Sequence, residues 1–161
     1  MGVRSLVLFS IMFSGSAIRV YSCTCGGLSI EKEVNSALDI VIGKVTSELA
    51  NDIICEYSFN NKTYDFSTTF AYSLAVEFSY KGKLNATTTI LGGKGGGDCG
   101  GIFHGGNEYL IVVYECNKGY YTFLCSDNAL KSEASAQIEF LNAHFKKNYQ
   151  VNKSIFPKWL K

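Results

Sequence analysis

The chain has 161 residues, with 15 Lys and Arg against 14 Asp and Glu, a formal net charge of +1, and 47% hydrophobic residues. That length suits one domain, and the balanced charge gives no electrostatic case for nucleic-acid binding. Six cysteines, an even number, fit an oxidising compartment better than the cytosol.

Residues 1–22 carry Arg4, then run apolar from Leu6 to Phe13 and end in small residues. This is the pattern of a secretory signal peptide. The run is too short and wrongly flanked for a membrane span, and no second one follows, so a soluble, extracellular product is expected. Cleavage after Ser22 leaves Val20 and Ser22 at the positions kept small, and makes Cys23 the amino terminus. Cleavage after Ala17 would leave residues 18–22 attached. Three sequons, Asn61-Lys62-Thr63, Asn85-Ala86-Thr87 and Asn152-Lys153-Ser154, are glycosylation candidates in that compartment.

Along the mature chain, residues 29–37 read as a helix with Ser29 at its N-cap and Ile30, Val34 and Ala37 at helical spacing. Residues 39–46 read as a strand. Residues 50–67 are polar and read as a long loop or an extended hairpin. Residues 68–80 alternate Phe70, Tyr72, Leu74, Val76, Phe78 and Tyr80 with small or polar residues, the period of a strand. Lys81-Gly82-Lys83 turns the chain into a Thr-rich strand over 86–91. Residues 92–106 hold nine glycines and read as irregular loop. Strands follow over 108–115 and 120–125, then a helix over 132–146. The tail from Lys147 is basic.

Five strands in a chain this short predict a small closed barrel of OB type, because closure removes exposed edges. Its core is expected to be drawn from Ile40, Ile42, Leu74, Val76, Leu110, Val112 and Leu124, covered by Ile138 and Leu141.

The catalytic signatures are weak. Gly95-Gly96-Gly97-Asp98-Cys99-Gly100 matches G-x-G-x-x-G, but residues 101–106 do not form the helix that a dinucleotide site needs. Cys23 and Cys25 have C-x-C spacing without a second close pair, and His104 and His144 are isolated, so a structural zinc site is not indicated. Asp39 with Glu48, or Glu108 with Glu115, could be imagined as carboxylate pairs. Surface or strand-edge charges are the simpler reading of each. No G-x-S-x-G or H-E-x-x-H motif is present, and no enzyme is expected.

Cys23-Thr24-Cys25 at the expected mature amino terminus resembles the start of the tissue inhibitors of metalloproteinases. Ser36-Ala37-Leu38-Asp39-Ile40-Val41-Ile42-Gly43-Lys44-Val45 is similar to that family's first helix-to-strand segment. Tyr80-Lys81-Gly82, Asp98-Cys99-Gly100, Glu108-Tyr109-Leu110-Ile111 and Thr122-Phe123-Leu124-Cys125 resemble its later segments, in the same order. The resemblance covers residues 23–146, leaving 1–22 as signal peptide and 147–161 as a tail.

The resemblance implies a netrin-like OB-fold barrel and bridges Cys23–Cys99 and Cys25–Cys125, which would staple an inhibitory ridge of Cys23, Thr24, Cys25, Gly26, Gly97, Asp98 and Cys99. It implies that Cys23 sits on the catalytic zinc of a target protease, an extracellular metalloproteinase of matrix or ADAM type. The inhibitor would hold no cofactor of its own and act as a monomer. Cys55 and Cys116 are left over and could pair with each other. The chain departs from the family at Asn35, where a cysteine is usual, at Gly26-Gly27, where a proline-containing segment is common, and after Cys125, where no cysteine follows. These departures leave a non-inhibitory netrin-like binding module as the alternative.

Overall fold

The computed structural model describes residues 28–59, 62–94 and 99–149. Its elements in chain order are helix α1 (Ile30–Glu33), strands β1 (Asp39–Phe59), β2 (Lys62–Ser79), β3 (Thr87–Gly92), β4 (Glu108–Cys116), β5 (Gly119–Tyr121) and β6 (Ala129–Leu130), and helix α2 (Ser135–Phe145). The chain is mainly β, and five strands close into a ring. Their order is β1-β2-β3-β5-β4, with β4 returning to pair with β1. Every pairing is antiparallel except β3 with β5. The short β6 lies against β4 through Tyr109 and Leu130.

The alternation of side chains sorts the apolar residues into faces. Val41, Val45, Tyr72, Leu74, Ile90, Phe103, Tyr109, Ile111 and Val113 fill the inside of the ring, with Val76 partly buried against them. Ile40, Ile42, Leu110 and Val112 point the other way, where Ile30 and Val34 near α1 and Ile138 and Leu141 of α2 cover them. Residues 39–43 of β1 and 109–113 of β4 are thus buried on both faces, which explains their near-continuous apolar runs. Leu124, expected in the core, is 42% exposed. The expected strand over 120–125 is regular only to Tyr121; residues 122–124 pair instead with segment 99–101, an arrangement that leaves Leu124 facing outward.

The polar stretch 50–67 is the extended hairpin rather than a loop. β1 and β2 pair from Val41 opposite Ser79 to Phe59 opposite Lys62, with register shifts between Ile42 and Gly43, Val45 and Ser47, and Ala50 and Ile53. Such bulges bend and twist a ribbon. The buried Thr68 donates its hydroxyl to the carbonyl of Ile53 at 3.1 Å at the last of them. The distal arm packs Ile53, Tyr57 and Phe66 over Ala71, Leu91 and Tyr121, the face opposite the ring interior. A disulfide joins Cys55 of the arm to Cys116 at the end of β4, with Cα atoms 5.7 Å apart. Beside it, Glu56 and Asn117 exchange two hydrogen bonds of 3.0 and 3.1 Å.

Asp39 is not a surface charge. It is fully buried, and its carboxylate accepts the Ile40, Lys81, Lys83 and Leu84 amides and the Ser79 hydroxyl at 2.7–3.1 Å. One side chain thereby orders the whole turn between β2 and β3, and these donors offset the cost of burying its charge. Gly82, in that turn, has φ +69°, the left-handed region that favours glycine. The first helix is a single turn, shorter than the expected 29–37, yet Val34 and Ala37 remain buried. α2 ends at Lys146 in a left-handed cap, and the Lys147 amide returns to the Asn142 carbonyl at 2.9 Å.

Candidate functional site

Of the ridge expected from the sequence, Cys23, Thr24, Cys25, Gly26, Gly97 and Asp98 lie outside the described residues, as do Asn61 and Asn152. Cys99 lies within them and is disulfide-bonded, as is Cys125. The structure brings these two cysteines onto adjacent strands of chain. The Leu124 amide donates to the Cys99 carbonyl at 2.8 Å, and Gly100 forms a β-bridge with Phe123. Segment 99–101 is also held from its other side. There the Gly93 amide donates to the Gly101 carbonyl at 2.8 Å, while the Gly101 amide donates to Thr122, on the Leu124 side, at 2.9 Å. Both described ends of the glycine-rich stretch are therefore fixed beside the end of β3.

Glycine is required there by crowding. A Cβ on Gly100 would lie 2.2 Å from the Gly93 nitrogen and 2.3 Å from the Gly92 carbonyl carbon. Asn128 orders the other wall. Its side-chain oxygen accepts the Val112 amide at 2.8 Å, and its amide group donates to Thr122 and Phe123, each at 3.0 Å.

A buried polar cluster joins this wall to the segment that leads back toward the amino terminus. The Ile30 amide donates to the Asp127 carboxylate at 2.9 Å. In return the Asp127 amide donates to the Glu33 carboxylate at 2.7 Å, and the Tyr114 hydroxyl donates to its other oxygen at 2.5 Å. Glu33 is 1% exposed. Burial, and secondarily the Glu33 carboxylate, push the Tyr114 phenol well above the usual tyrosine range. Sequence reading missed this cluster, because partners 94 and 97 residues apart leave no local pattern.

A cleft of about 500 Å³ opens beside the cluster, lined by Leu28, Leu38, Tyr57, Tyr114, Tyr121 and Phe123, with Ser36 and Glu115 as polar members. Its aromatic wall is cross-packed, with Tyr121 and Phe123 centroids 4.7 Å apart and Tyr57 and Phe123 5.5 Å apart. Of its lining, Leu28 is exposed, and the neighbouring Leu124 is exposed as well.

The imagined carboxylate pairs are each engaged separately. Asp39 serves the turn described above, Glu48 accepts the Gly105 amide, and Glu108 lies 3.1 Å from the Lys131 ammonium. Lys131 also contacts Glu77 at 2.6 Å. His104 and His144 are exposed, and His144 stacks on Phe140. Among the described residues, no three His, Cys, Asp or Glu side chains gather as a metal site, and no helix is long and apolar enough to cross a membrane. In comparison with known proteins, no family model matches the chain and no curated protein matches it.

Proposed function

We propose that the protein is a secreted inhibitor of extracellular zinc metalloproteinases, built on an OB-type barrel. The observation that carries the reading is the pairing of Cys99 with Leu124, which sets two oxidised cysteines side by side where two bridges to Cys23 and Cys25 would staple a rigid amino-terminal ridge. The ring order β1-β2-β3-β5-β4, closed on β1 with β3 and β5 parallel, supports the barrel. Oxidation of Cys55, Cys99, Cys116 and Cys125 supports an oxidising compartment. Asn85, Ala86 and Thr87 are all exposed, as a glycosylated sequon requires.

The chemistry follows from the terminus. A catalytic protease zinc keeps one coordination position for water. The α-amine and carbonyl oxygen of Cys23 chelate that zinc together and displace the water. The amine must be neutral to donate its lone pair. Its ordinary pKa is about 8, and the metal favours the neutral form further. Thr24 enters the primary specificity pocket, while Cys25, Gly26, Gly97, Asp98 and Cys99 extend the contact. The inhibitor escapes cleavage because no peptide bond precedes its first residue. Bridges that hold the ridge rigid reduce the ordering cost of binding.

Non-reducing peptide mapping of the secreted protein, with an inhibition assay on a panel of matrix-type metalloproteinases, tests the reading. Cys23–Cys99 and Cys25–Cys125 peptides with inhibition are expected. A Cys23–Cys25 bond overturns the stapled ridge. Correct bridges without inhibition favour the non-inhibitory netrin-like binding module.

A further inference from the structure

We infer that Asp127 and Glu33 are positioning residues for the amino-terminal ridge, an inference that rests on the inhibitor reading above. α1 begins at Ile30, and its N-cap residue Ser29 makes no side-chain capping bond. The capping acceptor comes instead from a distant segment, through the Asp127 carboxylate 2.9 Å from the Ile30 amide. An orphan N–H at a helix start needs such a partner. The exchange is reciprocal, because Glu33 of the same helix turn receives the Asp127 amide at 2.7 Å. Gln137 of α2 donates to the second Asp127 oxygen at 3.4 Å, and the Tyr114 hydroxyl holds Glu33 from β4. Three elements thus fix two carboxylates.

The placement gives the clamp its role. Asp127 follows Cys125 by two residues, and Ile30 follows Cys25 by five. The clamp therefore joins the same two stretches of chain that a Cys25–Cys125 bridge would join. A disulfide fixes one distance but leaves rotation about its own bonds. A second attachment a few residues away fixes direction as well, which is what a chelating terminus needs to meet a zinc ion at the right angle. Hydrogen bonds to charged groups are strong enough for that task. The buried Ile30 side chain, 1% exposed, anchors the same point in the core.

The test uses the full mature protein, its Asp127→Ala, Asp127→Asn and Asp127→Glu variants, and Asn142→Ala as a control near the end of α2. Two quantities are read at a temperature where every variant is folded: the inhibition constant against one matrix-type metalloproteinase, and hydrogen exchange at the Ile30 amide. Asp127→Ala is expected to raise the inhibition constant about tenfold or more, the effect of losing one hydrogen bond to a charged group, and to deprotect Ile30. Asp127→Asn keeps an acceptor oxygen and is expected to restore inhibition to within about threefold of wild type. Asn142→Ala removes the bonds to Tyr149 and to the Tyr80 hydroxyl, neither of them a hydrogen-bond partner of Asp127, and is expected to leave inhibition unchanged. If Asp127→Ala does not fold, Asp127→Glu keeps the charge but moves it outward by one methylene, and a weaker inhibitor is again expected. Variants that lose Ile30 protection yet inhibit as wild type overturn the positioning role. A wild-type protein that inhibits nothing overturns the inhibitor reading and takes this role with it.

Discussion

Leu124 and Cys99 meet through one backbone hydrogen bond of 2.8 Å. That contact lines up segment 99–101 with segment 122–124; Cys99 opens the first, Cys125 directly follows the second, and both are disulfide-bonded. The proposed inhibitory ridge depends on this alignment, so the groups that maintain it are the first to probe.

Gly100→Ala tests the close approach. Its Cβ would fall 2.2 Å from the Gly93 nitrogen, a backbone atom that cannot swing aside. The substitution is expected to cost about 2 kcal/mol or more. Gly82→Ala meets nothing within 4 Å and pays only for its positive φ, so about 1 kcal/mol is expected. Chemical denaturation of both variants checks the ranking. Equal costs would show that segment 99–101 is not held between its neighbours.

The Cys55–Cys116 bridge closes a long loop, with a sequence separation of 61. Replacing both cysteines by alanine is expected to cost about 2–5 kcal/mol. The distal arm should lose protection first, because its remaining ties there are the Glu56–Asn117 bonds and the aromatic packing around Tyr57 and Phe66. Hydrogen exchange resolved by residue checks this. Uniform loss of protection across the ring would contradict it.

Alkaline pH should unfold the protein through its tyrosines. Burial, then the neighbouring Tyr149, pushes the Tyr80 phenol from 10.0 up to about 12. Burial likewise holds Tyr114 and Tyr121 above the ordinary range. A phenol that is harder to ionise in the fold stabilises it fully below the unfolded pKa of about 10, and that stabilisation is lost as pH rises toward the folded value. Lys131 acts in the same direction. Burial opposes its charge, but hydrogen bonds to Glu77, Tyr149 and Glu108 outweigh that and raise its pKa. Unfolding free energy is expected to hold level from pH 7 to about 9 and to fall above about 10. Tyr80→Phe should fall less steeply. A profile level to about pH 12 would contradict the burial of these phenols.

Strands with one buried face were legible in the sequence. The alternation from Phe70 to Tyr80 marked most of β2, and the apolar run of β4 marked a strand buried on both sides. The distal hairpin was half legible. Its bulges and exposed residues, such as Leu49 and Ile54, carry no regular period. Leu124 was misplaced because it lies past the end of β5, where the chain pairs with segment 99–101, a partner that local periodicity does not announce. Asp39 was misread because a carboxylate is ordinarily exposed, whereas here five donors surround it. The Glu33–Asp127 cluster was invisible for a different reason. Nothing local marks two acids that meet only once the ring has closed. Of the candidate site, the adjacency of segments 99–101 and 122–124 came only with the fold, because neither segment carries a local pattern that points to the other.

The central claim turns on one nitrogen atom. Protein beginning at Cys23 has a free α-amine that can chelate zinc. The same protein with a single alanine placed before Cys23 has an amide there, which has no available lone pair, and an added residue that would collide with the enzyme around the zinc. The most direct measurement is the inhibition constant of both forms against a matrix-type metalloproteinase, with equal thermal stability confirming that both are folded. The account predicts inhibition by the native terminus and its loss, by about a hundredfold or more, in the extended form. Equal inhibition by the two forms would contradict chelation by Cys23.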